Sequence, residues 1–445
     1  MTNTTNNITL IIGLGKTGLS VARYLENSGQ PFVVVDTRSP VPSKETVLEM
    51  SQCVAVLETG LAEIDTALMT QLKQAVISPG VACEGELIEQ LRNSGVGIIG
   101  DIEIFALNNE RPVIAITGSN GKSTVTSLTA ELLKSQGIKV GMGGNIGTPA
   151  LELLDVDFDI IVLELSSFQL ETLSSLKPVA ATVLNITEDH MDRYASFDDY
   201  AAAKLKLLPM ADHTILTDEM RDAFVLKSSR SLSLKSAADY RREACGESFT
   251  LVSGNRLLAD VKDLKIIGSH NHQNALTAIA LCELSGYEFN EAMHKALCAY
   301  AGLAHRCEYV GTIDGIQCFN DSKATNVGAT QAALEGLEET HAGHLLLIAG
   351  GEGKGADFSA LKALFERTLK ALYLIGKDAE LILKQAGQGI NAVICDTLDM
   401  AFELALKDAR SGDAILLSPA CASLDMYSNF EARGEHFRRL VEAHQ

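Results

Sequence analysis

Residues 113–124 read VIAITGSNGKST: an apolar run, a glycine turn, then Lys122, Ser123 and Thr124 opening a helical stretch. That order suits polyphosphate. Loop N–H groups and the start of a helix present positive charge to anionic oxygens. Gly118, Ser119, Asn120 and Gly121 form the turn. Lys122 is placed to neutralise the β and γ phosphates, and Ser123 to ligate Mg²⁺. The loop departs from the common Walker A form. Only two residues separate its glycines, and Ile116 stands where the first glycine would be. Val125, Leu128, Leu132 and Leu133 predict one apolar face on the following helix, which Gly137 ends. Two more apolar runs lead to possible metal ligands. DIIVLE ends on Glu164, and ATVLNI is followed by Asp189, His190 and Asp192. Strand ends of a parallel sheet converge on one crevice, so Glu164 and His190 are expected near Ser123.

A second constellation lies near the N-terminus. Gly13, Gly15 and Gly18 make G-x-G-x-x-G directly after ITLII, a helical stretch follows, and FVVVD ends on Asp36. This is a mononucleotide-binding fingerprint with its acidic residue in place. NAD is the usual ligand, although such a loop reads phosphate rather than nicotinamide. Arg38 could contact a phosphate or a base, or remain solvated. Two nucleotide-type loops in one chain leave two readings. One is a dehydrogenase joined to a kinase-like unit. The other is a ligase that holds a nucleotide-linked substrate in one loop and ATP in the other.

These groups must be held by strands. ITLIIG, PFVVVD, QAVISPG, VIAITG, DIIVLE, ATVLNI, HLLLIAG, ALYLIG and AILLSPA are uniformly apolar and alternate with helical stretches. That pattern indicates an α/β protein with parallel sheets covered on both faces. So many strands exceed one comfortable core. Cuts are expected near Gly100 and near Leu303–His305, giving units 1–100, 101–303 and 304–445. TLVSGNRLL reads as a hairpin turning at Gly254-Asn255.

The 445 residues are 46% hydrophobic and 21% charged, which excludes a disordered or fibrous chain. A net charge of −20 argues against general nucleic-acid binding. Nine cysteines without a CxxC pair fit a reducing cytoplasm better than a disulfide scaffold or zinc ribbon. The polar N-terminus shows no signal peptide, and no apolar run reaches the ~18 residues of a membrane span.

The chain resembles the Mur ligase family. The resemblance rests on TGSNGKST, GGNIG (143–147), ELSSFQL (164–170), NITEDHMDRY (185–194), YAAAK (200–204), HN (270–271), LAHRCE (303–308), NDSKATN (320–326), GGEGKGAD (350–357) and SPACASLDMYSNFEARG (418–434). NDSKATN looks like the D-glutamate-adding members, and the D-N-P-R motif of diaminopimelate- or lysine-adding members is absent.

The resemblance implies three domains: a Rossmann-like one for a UDP moiety, a P-loop-type ATPase, and a Rossmann-like one for the incoming amino acid. The activity it implies is ATP-dependent amide formation through an acyl phosphate, in cytoplasmic peptidoglycan-precursor synthesis. The expected substrates are UDP-N-acetylmuramoyl-L-alanine and D-glutamate, and the expected state is a monomer. Gly15, Lys16, Thr17, Asp36, Thr37, Arg38 and Ser78 would then line a uridine-diphosphate site, with Asn145 on the sugar. Asn271, Arg306 and Asp321 would join the 118–124 loop at ATP. D-Glutamate would meet Lys323, Thr325, Lys354, Ser423, Leu424 and Phe430. Lys122, His190 and Lys204 would be catalytic. Two Mg²⁺ ions would sit among Ser123, Glu164, His190 and Lys204, the lysine carrying a carbamate. Outside this reading stand an NAD(P) oxidoreductase, a folylpolyglutamate synthase and a non-catalytic nucleotide sensor.

Overall fold

The computed structural model describes residues 7–58, 64–224, 230–234, 238–246 and 248–445. Three sheets follow one another along the chain. The first has five parallel strands in the order Cys53–Glu58, Phe32–Asp36, Ile8–Ile12, Leu72–Ile77, Gly97–Ile99. The strand order reverses at Ile8–Ile12. Ligand crevices of open α/β sheets form at such a switch, and here the Gly13 loop emerges. Gly18, in the first turn of the helix Lys16–Asn27, packs against the strand end: a Cβ there would lie 2.0 Å from the Gly13 carbonyl oxygen.

The second sheet has nine strands. Val140–Gly144, Ile160–Glu164, Val113–Thr117, Ala180–Val183, His213–Thr217, Arg230–Ser233 and Tyr240–Cys245 run parallel, in that order. Ser248–Ser253 and Arg256–Asp260 add an antiparallel hairpin at the edge, turning at Gly254-Asn255 as expected. The third sheet has six strands. Glu308–Ile313 pairs antiparallel with Ile316–Asn320, and Ala414–Leu417, Leu345–Gly350, Leu369–Ile375 and Ala392–Ile394 follow in parallel.

All nine apolar runs are strands, and none of them is an edge strand of its sheet. The helix Lys122–Ser135 departs from expectation. Instead of one apolar face it is buried nearly all round, Thr126 and Thr129 included. The helices Ser269–Leu284 and Glu291–Ala299 pack against it. The second of these buries only Met293 and Leu297, one turn apart, so its sequence signal is short. Cys282 is fully buried and Cys298 half-buried.

The helix Asp101–Asn108 joins the first two units. Ile102 and Phe105 belong to one buried cluster with Ile11 and Val21 of the first unit and Leu163 of the second. Truncating a fully buried aromatic removes its apolar contacts and leaves a void. Phe105→Ala is therefore expected to cost about 3–5 kcal/mol. Urea denaturation should show a lower midpoint with native secondary structure retained before the transition.

Candidate active site

The phosphate loop is shaped by two left-handed glycines. Gly118 has φ +147° and Gly121 φ +84°. A Cβ on Gly121 would meet Asn274 Oδ1 at 2.7 Å, so a larger residue fails on both counts. The loop is braced from the next strand end. Asn185 accepts from Asn120 N at 2.8 Å and donates to its carbonyl at 3.0 Å. Ser119 Oγ donates to the Thr187 carbonyl at 3.0 Å and hydrogen-bonds Tyr200 at 2.8 Å.

Cations crowd this loop. Lys122 Nζ donates to the Gly118 and Ser119 carbonyls, each at 2.9 Å. Lys204, on the helix Phe197–Leu205, is 2% exposed; its Nζ donates to the Gly118 carbonyl at 2.9 Å and lies 4.6 Å from the Tyr200 ring centre. Arg306 reaches across from the third unit and donates to Ser123 Oγ at 2.6 Å. Lys323 Nζ lies 4.1 Å from the Phe430 ring centre. Burial lowers the pKa of Lys122, Lys204 and Arg306. Lys323 is pushed down to about 8, first by burial and then by Arg306 and Lys122. Charged amines lose water here and gain like-charged neighbours.

Glu164 closes its strand facing this group and is 2% exposed. One carboxylate oxygen accepts from Asn145 Nδ2 at 2.6 Å; the other is buried without a hydrogen-bond partner. An orphaned buried carboxylate oxygen beside a phosphate loop suits a cation. His190 sits at φ +58°, its ring 4.8 Å from that of Phe168, and burial lowers its pKa. Asp189 Oδ2 accepts from Asn326 Nδ2 at 3.2 Å. Among the described residues no three His, Cys, Asp or Glu side chains converge. A metal here would need the Ser123 hydroxyl, a modified Lys204 or ligand oxygens as well. Mg²⁺ commonly keeps waters and binds through one or two carboxylates and substrate phosphates, so the donor set fits.

One cavity of about 460 Å³ gathers residues 119–124, Asn145, Glu164, His190, Lys204, Asn271, Arg306 and Asp321. It also takes in Lys323, Thr325, Lys354, Ser423, Leu424 and Phe430. Leu424 stands 64% exposed while lining it. Burial pushes Asp321 up to about 7, although Ser418 and the Cys307 N–H both donate to it. Asp192, close in sequence to His190, does not line this cavity. Tyr200, Asn274 and Asn326 line it, and sequence reasoning alone misses them. Tyr200 and Asn326 fall inside YAAAK and NDSKATN, so position within those motifs is the available signal.

A second cavity of about 440 Å³ is lined by Gly15, Lys16, Thr17, Asp36, Thr37, Arg38, Ser78 and Asn145. Asn145 lines both cavities. Lys16 Nζ donates to the Gly147 carbonyl at 2.5 Å, tying the first unit to the loop that carries Asn145. Asp36 is 3% exposed, and both its oxygens are engaged by Leu14 N–H and Arg38. Arg38 is thus paired rather than solvated. The fingerprint acid fixes its own loop, which leaves it poorly free for a dinucleotide ribose.

Models of the Mur ligase MurD-like N-terminal domain, the Mur ligase middle domain and the Mur ligase glutamate ligase domain match residues 7–100, 116–282 and 305–421. The UDP-N-acetylmuramoylalanine–D-glutamate ligase of Haemophilus ducreyi is 44% identical over 435 residues, 98% of this chain and 97% of that protein. That of Pseudomonas syringae pv. syringae is 43% identical over 440 residues, 97% of each. The chain belongs to the Mur ligase family. Among solved structures, MurF ligase from Thermotoga maritima in complex with ADP aligns at TM-score 0.61 and 16% identity, covering 85% of this chain and 91% of that one. That likeness is one of fold. In this Mur ligase the short phosphate loop and Glu164 line one cavity, and Asn145 is common to its wall and that of the second.

Hydrogen bonds from Arg38, with lesser help from Leu14, hold the Asp36 carboxyl at about 2, below the usual carboxylate range. A depressed carboxylate adds stability above its unfolded pKa and loses it as pH falls toward the folded value. Asp36→Asn should therefore cost about 2 kcal/mol near pH 7. The gap from wild type should shrink as pH falls from about 4 to about 2, as read by urea midpoints across that range.

Proposed function

We propose that this Mur ligase joins D-glutamate to UDP-N-acetylmuramoyl-L-alanine, using ATP and releasing ADP and phosphate. The observation that carries the reading is the shared wall at Asn145. It sets the far end of a UDP-sugar cavity against the phosphate loop and its cations. The names of the relatives support the choice of substrates. Residues 1–100 would hold the UDP substrate, 101–303 ATP and 304–445 the amino acid.

A carboxylate does not acylate an amine in water, because oxide is too poor a leaving group. In this proposal a carboxylate oxygen of the alanyl group attacks the γ-phosphorus in line with departing ADP. The product is an acyl phosphate. The D-glutamate nitrogen then attacks the acyl carbon, loses its proton, and phosphate leaves with the bonding pair.

Loop N–H groups and Lys122 stabilise charge spread over the transferring phosphoryl oxygens. Asn271, Arg306 and Asp321 hold the nucleotide. Lys323, Lys354, Thr325 and Ser423 offer cations and hydroxyls to two carboxylates, while Leu424 and Phe430 exclude water. Mg²⁺ held by Ser123, Glu164, His190 and carbamylated Lys204 would supply further neutralisation of phosphate charge. Lys204 suits modification, because a neutral amine is the form that captures CO₂ and burial favours that form.

Among the described residues no helix is long and apolar enough to cross a membrane. All nine cysteines are free thiols. We place the reaction in the cytoplasm and the active unit as a monomer, without nucleic acid.

ADP release measured with the UDP-sugar, ATP and a panel of amino acids tests the reading. It should require all three substrates and favour D-glutamate over L-glutamate, lysine and diaminopimelate. Release without D-glutamate, or NAD reduction in its place, would contradict it. Lys122→Ala should lower kcat by roughly 10²–10³-fold, the scale for losing one donor to a developing charge. Lys204→Met, which cannot form a carbamate, should fall at least as far.

A further inference from the structure

Among the described residues Arg433 is the largest fully buried side chain, 1% exposed. It lies in the helix Phe430–Ala443, beneath the cavity rather than in its lining. Among the described residues no carboxylate pairs with it. Its donors go to main chain and one hydroxyl. Nε donates to Ser322 Oγ at 3.0 Å. Nη2 donates to the Ser322 carbonyl at 2.8 Å and the Cys421 carbonyl at 3.0 Å. Nη1 reaches the Gly350 carbonyl at 3.5 Å.

A buried cation without a carboxylate is costly, and well-packed apolar groups often serve stability as well or better. What an apolar residue could not do is hold three separate loops in register. Ser322 precedes Lys323, Cys421 is two residues before Ser423, and Gly350 begins the turn that carries Lys354. Ser322 Oγ also donates to the Phe430 carbonyl at 2.8 Å. The 350 and 420 loops are further joined by paired bonds between Glu352 and Ala422, each 2.9 Å. The packing is close: a Cβ on Gly351 would lie 2.2 Å from the Ala422 carbonyl oxygen and 3.3 Å from Arg433 Nη1. Lys354 itself sits at φ +52°, a conformation that must be held by its surroundings.

We infer that Arg433 is the positioning residue of the amino-acid pocket: its rigid fork fixes the spacing of the loops bearing Lys323, Lys354, Ser423 and Phe430. This rests on the function proposed above. The planar guanidinium sets three directions at once, which a lysine ammonium on a flexible stem does not. Its charge also lies beneath a site built for a dicarboxylate. The chain's own Asp425 and Asp321 act on Arg433 through space without contacting it.

The test uses the full chain with the substitutions Arg433→Lys, Arg433→Gln and Ser322→Ala. ADP release is followed while D-glutamate is varied at saturating ATP and UDP-sugar, and then while ATP is varied. Arg433→Lys and Arg433→Gln should raise KM for D-glutamate at least tenfold and leave KM for ATP within twofold. Ser322→Ala should raise the D-glutamate KM about threefold to fivefold. If the Arg433 variants do not fold, Ser322→Ala decides: a raised D-glutamate KM supports the inference, an unchanged one overturns it. Unchanged KM values with a smaller active fraction would mean a purely structural arginine and overturn it too. Wild type that ignores D-glutamate would instead sink the proposed function, a separate and distinguishable outcome.

Discussion

Like-charged groups concentrated in one cleft are the constraint around which this protein is organised. The chain carries a net charge of −20, yet Lys122, Lys204, Arg306, Lys323 and Lys354 line a single cavity. The structure lowers the proton affinity of four of them, burial being the first cause each time. Glu164 and Asp189 answer only part of that charge. Such a cleft is electrostatically unfinished until anions enter, and polyphosphate with a dicarboxylate is the complement it calls for. The loop carbonyls of Gly118 and Ser119 meanwhile receive the lysine protons that phosphate oxygens would otherwise take.

The fold places these charges by a simple rule. Parallel strands end on one side, and each end passes into a loop. Thr117, Glu164 and Val183 end neighbouring strands of the central sheet, so the phosphate loop, the orphaned carboxylate and the His190 segment converge. The third unit closes the cleft from the other side through Arg306 and Asn326, which hydrogen-bond Ser123 and Asn120. The first unit reaches it through Lys16 and the 143–147 loop. No single unit owns the site.

The strand centres are legible in the sequence because uniform apolar runs have one physical explanation, burial on both faces. Edge strands such as Cys53–Glu58 are not, since their residues are half-exposed and mixed. The phosphate loop is legible through its glycines and Lys122. Its bracing is not: Asn185 and Tyr200 act through hydrogen bonds whose partners are 65 and 81 residues away. Lys204 as a buried amine runs against the ordinary expectation of an exposed lysine, and only the family resemblance points inward. Asp36 is legible as the acid of a nucleotide fingerprint, but its capture by Arg38 emerges only in three dimensions. Arg433 carries no signal beyond its place in SPACASLDMYSNFEARG, because an arginine in a polar helix is ordinarily solvated.

In the proposed reaction this cleft turns a sluggish carboxylate into a mixed anhydride with phosphate. Labelling both alanyl carboxylate oxygens of the UDP-sugar with ¹⁸O, running the reaction to completion and weighing the released phosphate tests it directly. One labelled oxygen is expected in each phosphate and one in the new amide. Phosphate free of label, with amide still formed, would contradict it.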